Sequence, residues 1–313
     1  MPSKTSFFYD SRHEGQRIHA IRWQPDAAVK AVLILAHGMA EHIDRYDGFA
    51  THLAGQGILV AGGDYLGHGK TVGGEAAYGY ICPRDPATVL VRDVHRLKKL
   101  IQAEYPGLPF AIMGHSMGSF VVRNYMARYG SGIQAAILMG TGMPPEGLVN
   151  ISRRLAALQA FFVGADKPGR LLDKLAFGAY NARIADAASP FAWLSVNREN
   201  VEAYEADPLC GFAFSINGFQ TLFELLNRLH QTQNLKNIPP KLPVLMVSGE
   251  QDPVGDYGQG PKKTQESLES AGLTDVTSIL YPWGRHEILH EAEKMAVYAD
   301  IINWLEEKII SKE

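Results

Sequence analysis

Short, unbroken apolar runs alternate with amphipathic stretches along most of the chain. Val29 to Ala36, Ile58 to Ala61, Phe110 to Met113, Gln134 to Met139, Pro243 to Ser248 and Val276 to Tyr281 read as strands buried on both faces. Helical periodicity fills the gaps, over Tyr46 to Gln56, Val89 to Ala103, Ser119 to Tyr129, Lys262 to Ala271 and Ile288 to Ile310. In the second of these, Leu90, Val94, Leu97 and Ile101 share one face, and Tyr105-Pro106-Gly107 stops the helix. The start of the chain differs: Thr5 to Tyr9 and Gln16 to Trp23 alternate apolar and polar around a polar turn, as edge strands do. Strand, helix, strand in repetition predicts an α/β fold with a mostly parallel central sheet flanked by helices.

The alternation stops after Thr141 and resumes at about Pro240. In between the pattern is helical, as in Phe219, Leu222, Phe223, Leu226 and Leu229, with no buried-strand run. This divides the chain into a first core part, 1–141, an inserted helical cap, 142–240, and a second core part, 241–313. Most of the insertion's aromatics, Phe161, Phe162, Phe177, Phe191, Trp193, Phe212, Phe214 and Phe219, are expected to form its own core.

Composition narrows the function classes. With 313 residues and a formal net charge of -3, the chain offers no basic field for nucleic acid or an anionic surface, so a neutral or weakly polar small molecule is the expected partner. No window approaches the roughly 20 apolar residues of a membrane span. The two cysteines, Cys82 and Cys210, and a start without a signal-like apolar region lead to an expectation of reduced thiols and a cytoplasmic location. The oligomeric state is left open.

Loops at the carboxyl ends of parallel strands are where such sheets place chemistry. Gly114-His-Ser116-Met-Gly118 sits between an apolar run and a helical stretch, the arrangement that exposes a serine hydroxyl on a sharp turn. Asp252 follows another buried strand and His286 another, in the order Ser, Asp, His. Together they suit acyl transfer: Ser116 as nucleophile, His286 as proton carrier, and Asp252 holding the imidazole tautomer. The oxyanion requires two donors, for which the backbone N–H groups of Met39 and Met117 are placed. No cofactor and no metal enter this scheme.

Competing motifs are weaker. His286-Glu-Ile-Leu-His290 matches the H-E-x-x-H zinc signature, but Trp283-Gly284 places His286 in a loop or at a helix start, and no third ligand is apparent. His290 is then expected on a helix surface, and Glu287 in a first helical turn. Gly69-Lys70-Thr71 ends like a phosphate loop, yet Asp64 stands where its first glycine belongs; Gly67 and Gly69 lack the third glycine of a dinucleotide fingerprint. Glu41, His42, Asp64 and His68 are read as a polar network holding the oxyanion loop.

His37-Gly-Met-Ala-Glu-His42, Asp64-Tyr-Leu-Gly-His-Gly-Lys-Thr71, Gly114-His-Ser-Met-Gly118 and Gly249-x-x-Asp252-x-Val254 resemble the monoacylglycerol lipase and lysophospholipase branch of the α/β-hydrolases, which is grouped with serine aminopeptidases. The resemblance covers the core on both sides of the insertion. Ser119, where another glycine is common, and Thr71, where serine is usual, depart from it. It implies a serine hydrolase of carboxylic esters with an apolar acyl chain. An aminopeptidase of the same fold, with Glu199, Glu202 and Glu205 holding a free amine, and a non-catalytic ligand receptor are the alternatives.

Overall fold

Eight strands form one sheet in the order β1-β2-β4-β3-β5-β6-β7-β8, in a computed structural model that describes residues 1–72, 78–185 and 187–311. The edge pair β1 (Ser3–Asp10) and β2 (Arg17–Gln24) is antiparallel, and β2 meets β4 (Ile58–Gly63) antiparallel as well. From β4 through β3 (Ala31–Ala36), β5 (Phe110–His115), β6 (Ala135–Met139), β7 (Val244–Gly249) and β8 (Val276–Tyr281), each neighbouring pair is parallel.

The continuous apolar runs follow from burial on both faces. In β3, Val32, Ile34 and Ala36 join a core with residues of α2 (Pro86–Glu104) and α3 (Met117–Tyr129). Ala31, Leu33 and Leu35 point the other way, into a second core with α1 (Asp47–Gly55) and α10 (Lys294–Leu305). Each buried aliphatic side chain contributes about 1.5–3 kcal/mol relative to exposure, so neither face could be uncovered cheaply. A further helix, α9 (Gln259–Ser270), links β7 to β8. Because β3, β5, β6, β7 and β8 run in the same direction, the loops after Ala36, His115, Met139, Gly249 and Tyr281 open at one edge of the sheet.

Between β6 and β7 lie α4 (Glu146–Val163), α5 (Arg170–Phe177), α6 (Arg198–Ala206), α7 (Ile216–Leu229) and α8 (Thr232–Leu235), with no strand among the described residues there. Helix α7 anchors the segment: Ile216, Phe219, Leu225 and Leu229 are buried, and the helix packs on α3 and α4. Its N-cap, Ser215, accepts from the Gly218 N–H at 3.1 Å and donates to the Gly79 carbonyl at 2.7 Å. Phe214 is fully buried against His68 and Phe219.

Two sequence expectations change. Phe161 and Phe162 are not core: they stand 80% and 73% exposed at the end of α4, because only one stripe of that helix faces α7. The last helix begins at Lys294, not Ile288; residues 286–293 form turns, since Glu291 is used as a hydrogen-bond acceptor by the neighbouring segment. No helix among the described residues is long and apolar enough to cross a membrane.

Phe214→Ala should cost about 3–5 kcal/mol of unfolding free energy, the usual range for a buried phenylalanine. Chemical denaturation checks it, and a loss below about 1 kcal/mol would mean that the insertion is not anchored there.

Candidate active site

Ser116 occupies a strained backbone conformation, φ 54° and ψ -123°, between β5 and α3. Such a conformation costs on the order of 1–3 kcal/mol and persists only where the surroundings enforce it. Here they do. The Ser116 N–H donates to the Met139 carbonyl at 2.9 Å, and the Ser119 N–H donates to the Ser116 carbonyl at 2.8 Å. The flanking glycines are needed for space: a Cβ on Gly114 would lie 2.2 Å from the Gly118 carbonyl oxygen, and one on Gly118 would lie 2.1 Å from that of Ala36.

The two departures from the family pattern have local partners. Ser119 Oγ donates to the Ser116 carbonyl at 2.6 Å and lies 2.9 Å from Thr141 Oγ1, tying the elbow helix to the β6 exit. One turn on, fully buried Arg123 donates to the Gly142 carbonyl at 3.0 Å, while burial pushes its guanidinium down to about 9. Thr71 Oγ1 accepts from the His19 N–H at 2.9 Å and donates to the Asp64 carbonyl at 2.8 Å. Arg123 gave no sequence signal; a lone arginine in a helix reads as surface.

Asp252 and His286 come together in the loops after β7 and β8. His286 Nδ1 donates to Asp252 Oδ2 at 2.9 Å, with both side chains buried. Asp252 Oδ1 accepts from the Val254 N–H at 2.8 Å, which fixes the carboxylate plane. A carboxylate only accepts, so Nδ1 carries hydrogen and, in the neutral ring, Nε2 keeps its lone pair. The Trp193 ring centroid sits 5.2 Å from that of His286.

Gly38 approaches the elbow closely, since a Cβ there would be 3.2 Å from Ser116 Cβ. Its N–H donates to Glu41 Oε1, which also accepts from Tyr46 Oη at 2.8 Å and from His115 at 3.2 Å. Glu41 Oε2 receives Arg45 at 2.8 Å, and Arg45 turns both terminal nitrogens toward Glu287. Burial alone would raise the Glu41 carboxyl, but His115 and Arg45 outweigh it and hold it well below the usual range. Met39 and Met117 line the same cavity as Ser116 and His286. The Met117 N–H lies in the first turn of α3, where a helix has no internal acceptor for it.

The cavity has a volume of about 920 Å³. Its walls are mostly apolar, with Phe120, Leu155, Phe177, Trp193, Phe212 and Leu226 among them, and Asp173 is a carboxylate in the lining. Burial pushes Asp173 up. Leu148, Ile151 and Leu175 line the cavity and are also exposed, so they mark its mouth.

The rival zinc motif does not assemble. His286 and His290 lie in turns, not on one helix, and His286 faces Asp252. Glu287 is no first-turn acid: it is buried, paired with Arg45, and held at about 2 because that pairing outweighs desolvation. His290 is partly buried and pushed down to about 4 by burial, not a surface helix residue. The expected polar network is only partly realised: Asp64 accepts from His19 and from the Ile43 N–H, both at 2.8 Å, and His42 joins Asp207 at 2.8 Å, but His68 stays outside it, with Nδ1 on the Leu66 carbonyl and its ring packed among Phe212 and Phe214, because that pocket is aromatic. Glu199, Glu202 and Glu205 lie on α6, where Glu202 pairs with Arg198 and Glu205 accepts from Ser189.

The serine aminopeptidase S33 family model matches residues 27–293. A monoacylglycerol lipase of Mycolicibacterium smegmatis is 31% identical over 93% of both chains. The human monoglyceride lipase is 29% identical over 94% of this chain and 88% of that one. Among solved structures, a thermostable carboxyl esterase from Bacillus coagulans superposes with a TM-score of 0.89 at 27% identity, covering 98% of this chain and 99% of that one.

Acid should destabilise this protein in part through His68. Burial holds the His68 imidazole down to about 3, so the unfolded chain binds the proton first as pH falls below about 6.5. Stability is then full above that pH and lost progressively toward pH 3. A His68→Gln variant should show a shallower fall of melting temperature between pH 7 and 4; an unchanged slope would remove His68 from the account.

Proposed function

The chain belongs to the serine aminopeptidase S33 family of α/β-hydrolases, on its monoacylglycerol lipase-like branch of carboxylic-ester hydrolases, and on that footing we propose a Ser116-dependent hydrolysis of esters with an apolar acyl chain. Ser116 Oγ attacks the ester carbonyl as His286 Nε2 takes its proton; Asp252 stabilises the imidazolium. The backbone N–H groups of Met39 and Met117 receive the oxyanion. The alkoxide leaves with the proton from His286, and water repeats the sequence on the acyl-enzyme. The observation that carries this reading is the strained Ser116 elbow opening, with His286, into one large apolar cavity.

Residues 142–240 act in this reading as a cap over the core formed by 1–141 and 241–313. The cavity volume and its apolar walls favour a medium or long acyl chain, as in a monoacylglycerol or lysophospholipid. Exposed Leu148, Ile151 and Leu175 would meet a lipophilic substrate at the mouth. A cytoplasmic location belongs to the same proposal, supported by the free thiols of Cys82 and Cys210.

Asp173 is the observation that favours a second reading, an aminopeptidase, because a carboxylate in the cavity wall could meet a substrate amine. A carboxylate there can accept from a glycerol hydroxyl as well as from an amine, and the otherwise apolar walls favour the ester.

Purified protein should hydrolyse monoacylglycerols and nitrophenyl esters, and Ser116→Ala should lower kcat by at least about 10⁴-fold. Turnover that survives Ser116→Ala sinks the mechanism. Aminoacyl anilides should be cut far more slowly than esters, and Asp173→Asn should raise KM for glycerol esters more than it lowers kcat. The reverse substrate preference, with Asp173→Asn abolishing it, would establish the aminopeptidase instead.

A further inference from the structure

His42, Asp207 and Cys210 bring an imidazole, a carboxylate and a thiol to one point beside the cavity, where the loop after β3 meets the turn after α6. Among the described residues, their ligand atoms lie within 4.8 Å of one another, and His42 Nε2 is 2.8 Å from Asp207 Oδ2. The carboxylate is already oriented. Its other oxygen accepts from the Leu209 N–H at 2.8 Å, and the Cys210 N–H closes the turn on the Asp207 carbonyl at 3.0 Å. Outer partners of this kind aim metal ligands in established sites.

We propose that these three side chains bind a divalent ion of the zinc class, with water as fourth ligand, and that the ion staples the inserted segment to the loop carrying the Met39 N–H. The donor set selects the metal: nitrogen, oxygen and sulfur together suit zinc or cadmium, whereas calcium and magnesium take oxygen. Tetrahedral coordination at about 2.0–2.3 Å requires side-chain movements of roughly 1 Å from the present positions. Burial pushes the Cys210 thiol up, so it carries its proton until an ion arrives. A coordinated thiol is deprotonated outright, and the neutral His42 ring must move the hydrogen it shares with Asp207 from Nε2 to Nδ1, so binding releases the thiol proton, breaks the His42–Asp207 hydrogen bond and forms bonds from the ion to sulfur, nitrogen and oxygen. Arg45, the cation that acts on Cys210, is already compensated by Glu41 and Glu287.

The location gives the ion something to act on. Ala40, between Met39 and Glu41, has φ 52°, and its carbonyl accepts from the Gly211 N–H at 3.0 Å and from Tyr204 Oη at 2.9 Å. The loop after β3 is thus already held by the residue next to Cys210. An ion at the trio would strengthen that hold through side chains. This site differs from the H-E-x-x-H motif and does not depend on which ester is cleaved.

The full chain, treated with chelator, would be titrated with zinc chloride by calorimetry and with cadmium chloride by ultraviolet absorbance. Expected are one ion per chain, a thiolate-to-cadmium absorption, and a melting temperature raised by zinc. Cys210→Ser should abolish the absorption and weaken zinc binding by at least roughly 100-fold, the upper end of what even loss of an outer partner costs. Asp207→Asn should weaken binding while keeping the absorption, and it serves as second variant if Cys210→Ser fails to fold. Equal zinc affinity in the wild type and in Cys210→Ser, or no thiolate absorption in the wild type, overturns the proposal.

Discussion

One carboxylate, sealed from water, holds the functional edge of the sheet together. Glu41 is 2% exposed and collects donors from Gly38, Arg45, Tyr46 and His115. Burying an ion of this kind costs several kcal/mol unless partners replace its water, so the four donors must arrive together. They come from three parts of the site: Gly38 from the loop after β3, Arg45 and Tyr46 from the 3-10 turn before α1, and His115 from the position preceding Ser116. Through Arg45 the same cluster reaches Glu287, the neighbour of His286. Ser116, His286 and the loop after β3 are therefore positioned by a single electrostatic arrangement, and loss of one partner would leave an uncompensated charge beneath all three.

The fold could be read from the sequence to the extent that burial was two-sided. Strands such as β3 and β7 announce themselves because both faces are covered and every position is apolar. Ser116, Asp252 and His286 were legible for a related reason: each follows such a run, so the strand fixes where the loop must open. What escaped was decided by partners distant in the chain. Glu287 looked like a helix-start acid because nothing in its own neighbourhood reveals Arg45, and Arg123 drew no reading at all because its partner, the Gly142 carbonyl, is 19 positions away. Phe161 and Phe162 failed in the opposite direction, since aromatic character says nothing of which stripe of α4 meets a neighbour.

The inserted helices are tied to the core at several places by polar contacts as well as by packing. Glu291 accepts from Ser195 Oγ and from the N–H groups of Val196 and Asn197; Arg285 donates to the carbonyls of Ala192 and Ser195. These contacts link the segment before α6 to the loop of His286. By contrast α4 and α5 expose apolar side chains around the cavity mouth. The insertion thus has a fixed half against the base loop and a greasy half facing outward, and the cavity lies between them.

The strain at Ser116 has a consequence for how the protein is assembled. No local interaction in Gly114 to Gly118 favours φ 54° for a serine; the carbonyl of Met139 and the close approach of Ala36 impose it. The placement of the Ser116 hydroxyl is therefore a product of the finished sheet, and no isolated elbow peptide would present it. A chain that has formed its helices without docking β5 between β3 and β6 carries every residue of the site and none of its chemistry. Under the proposed function, covalent labelling of Ser116 would count the molecules in which the centre of the sheet is complete.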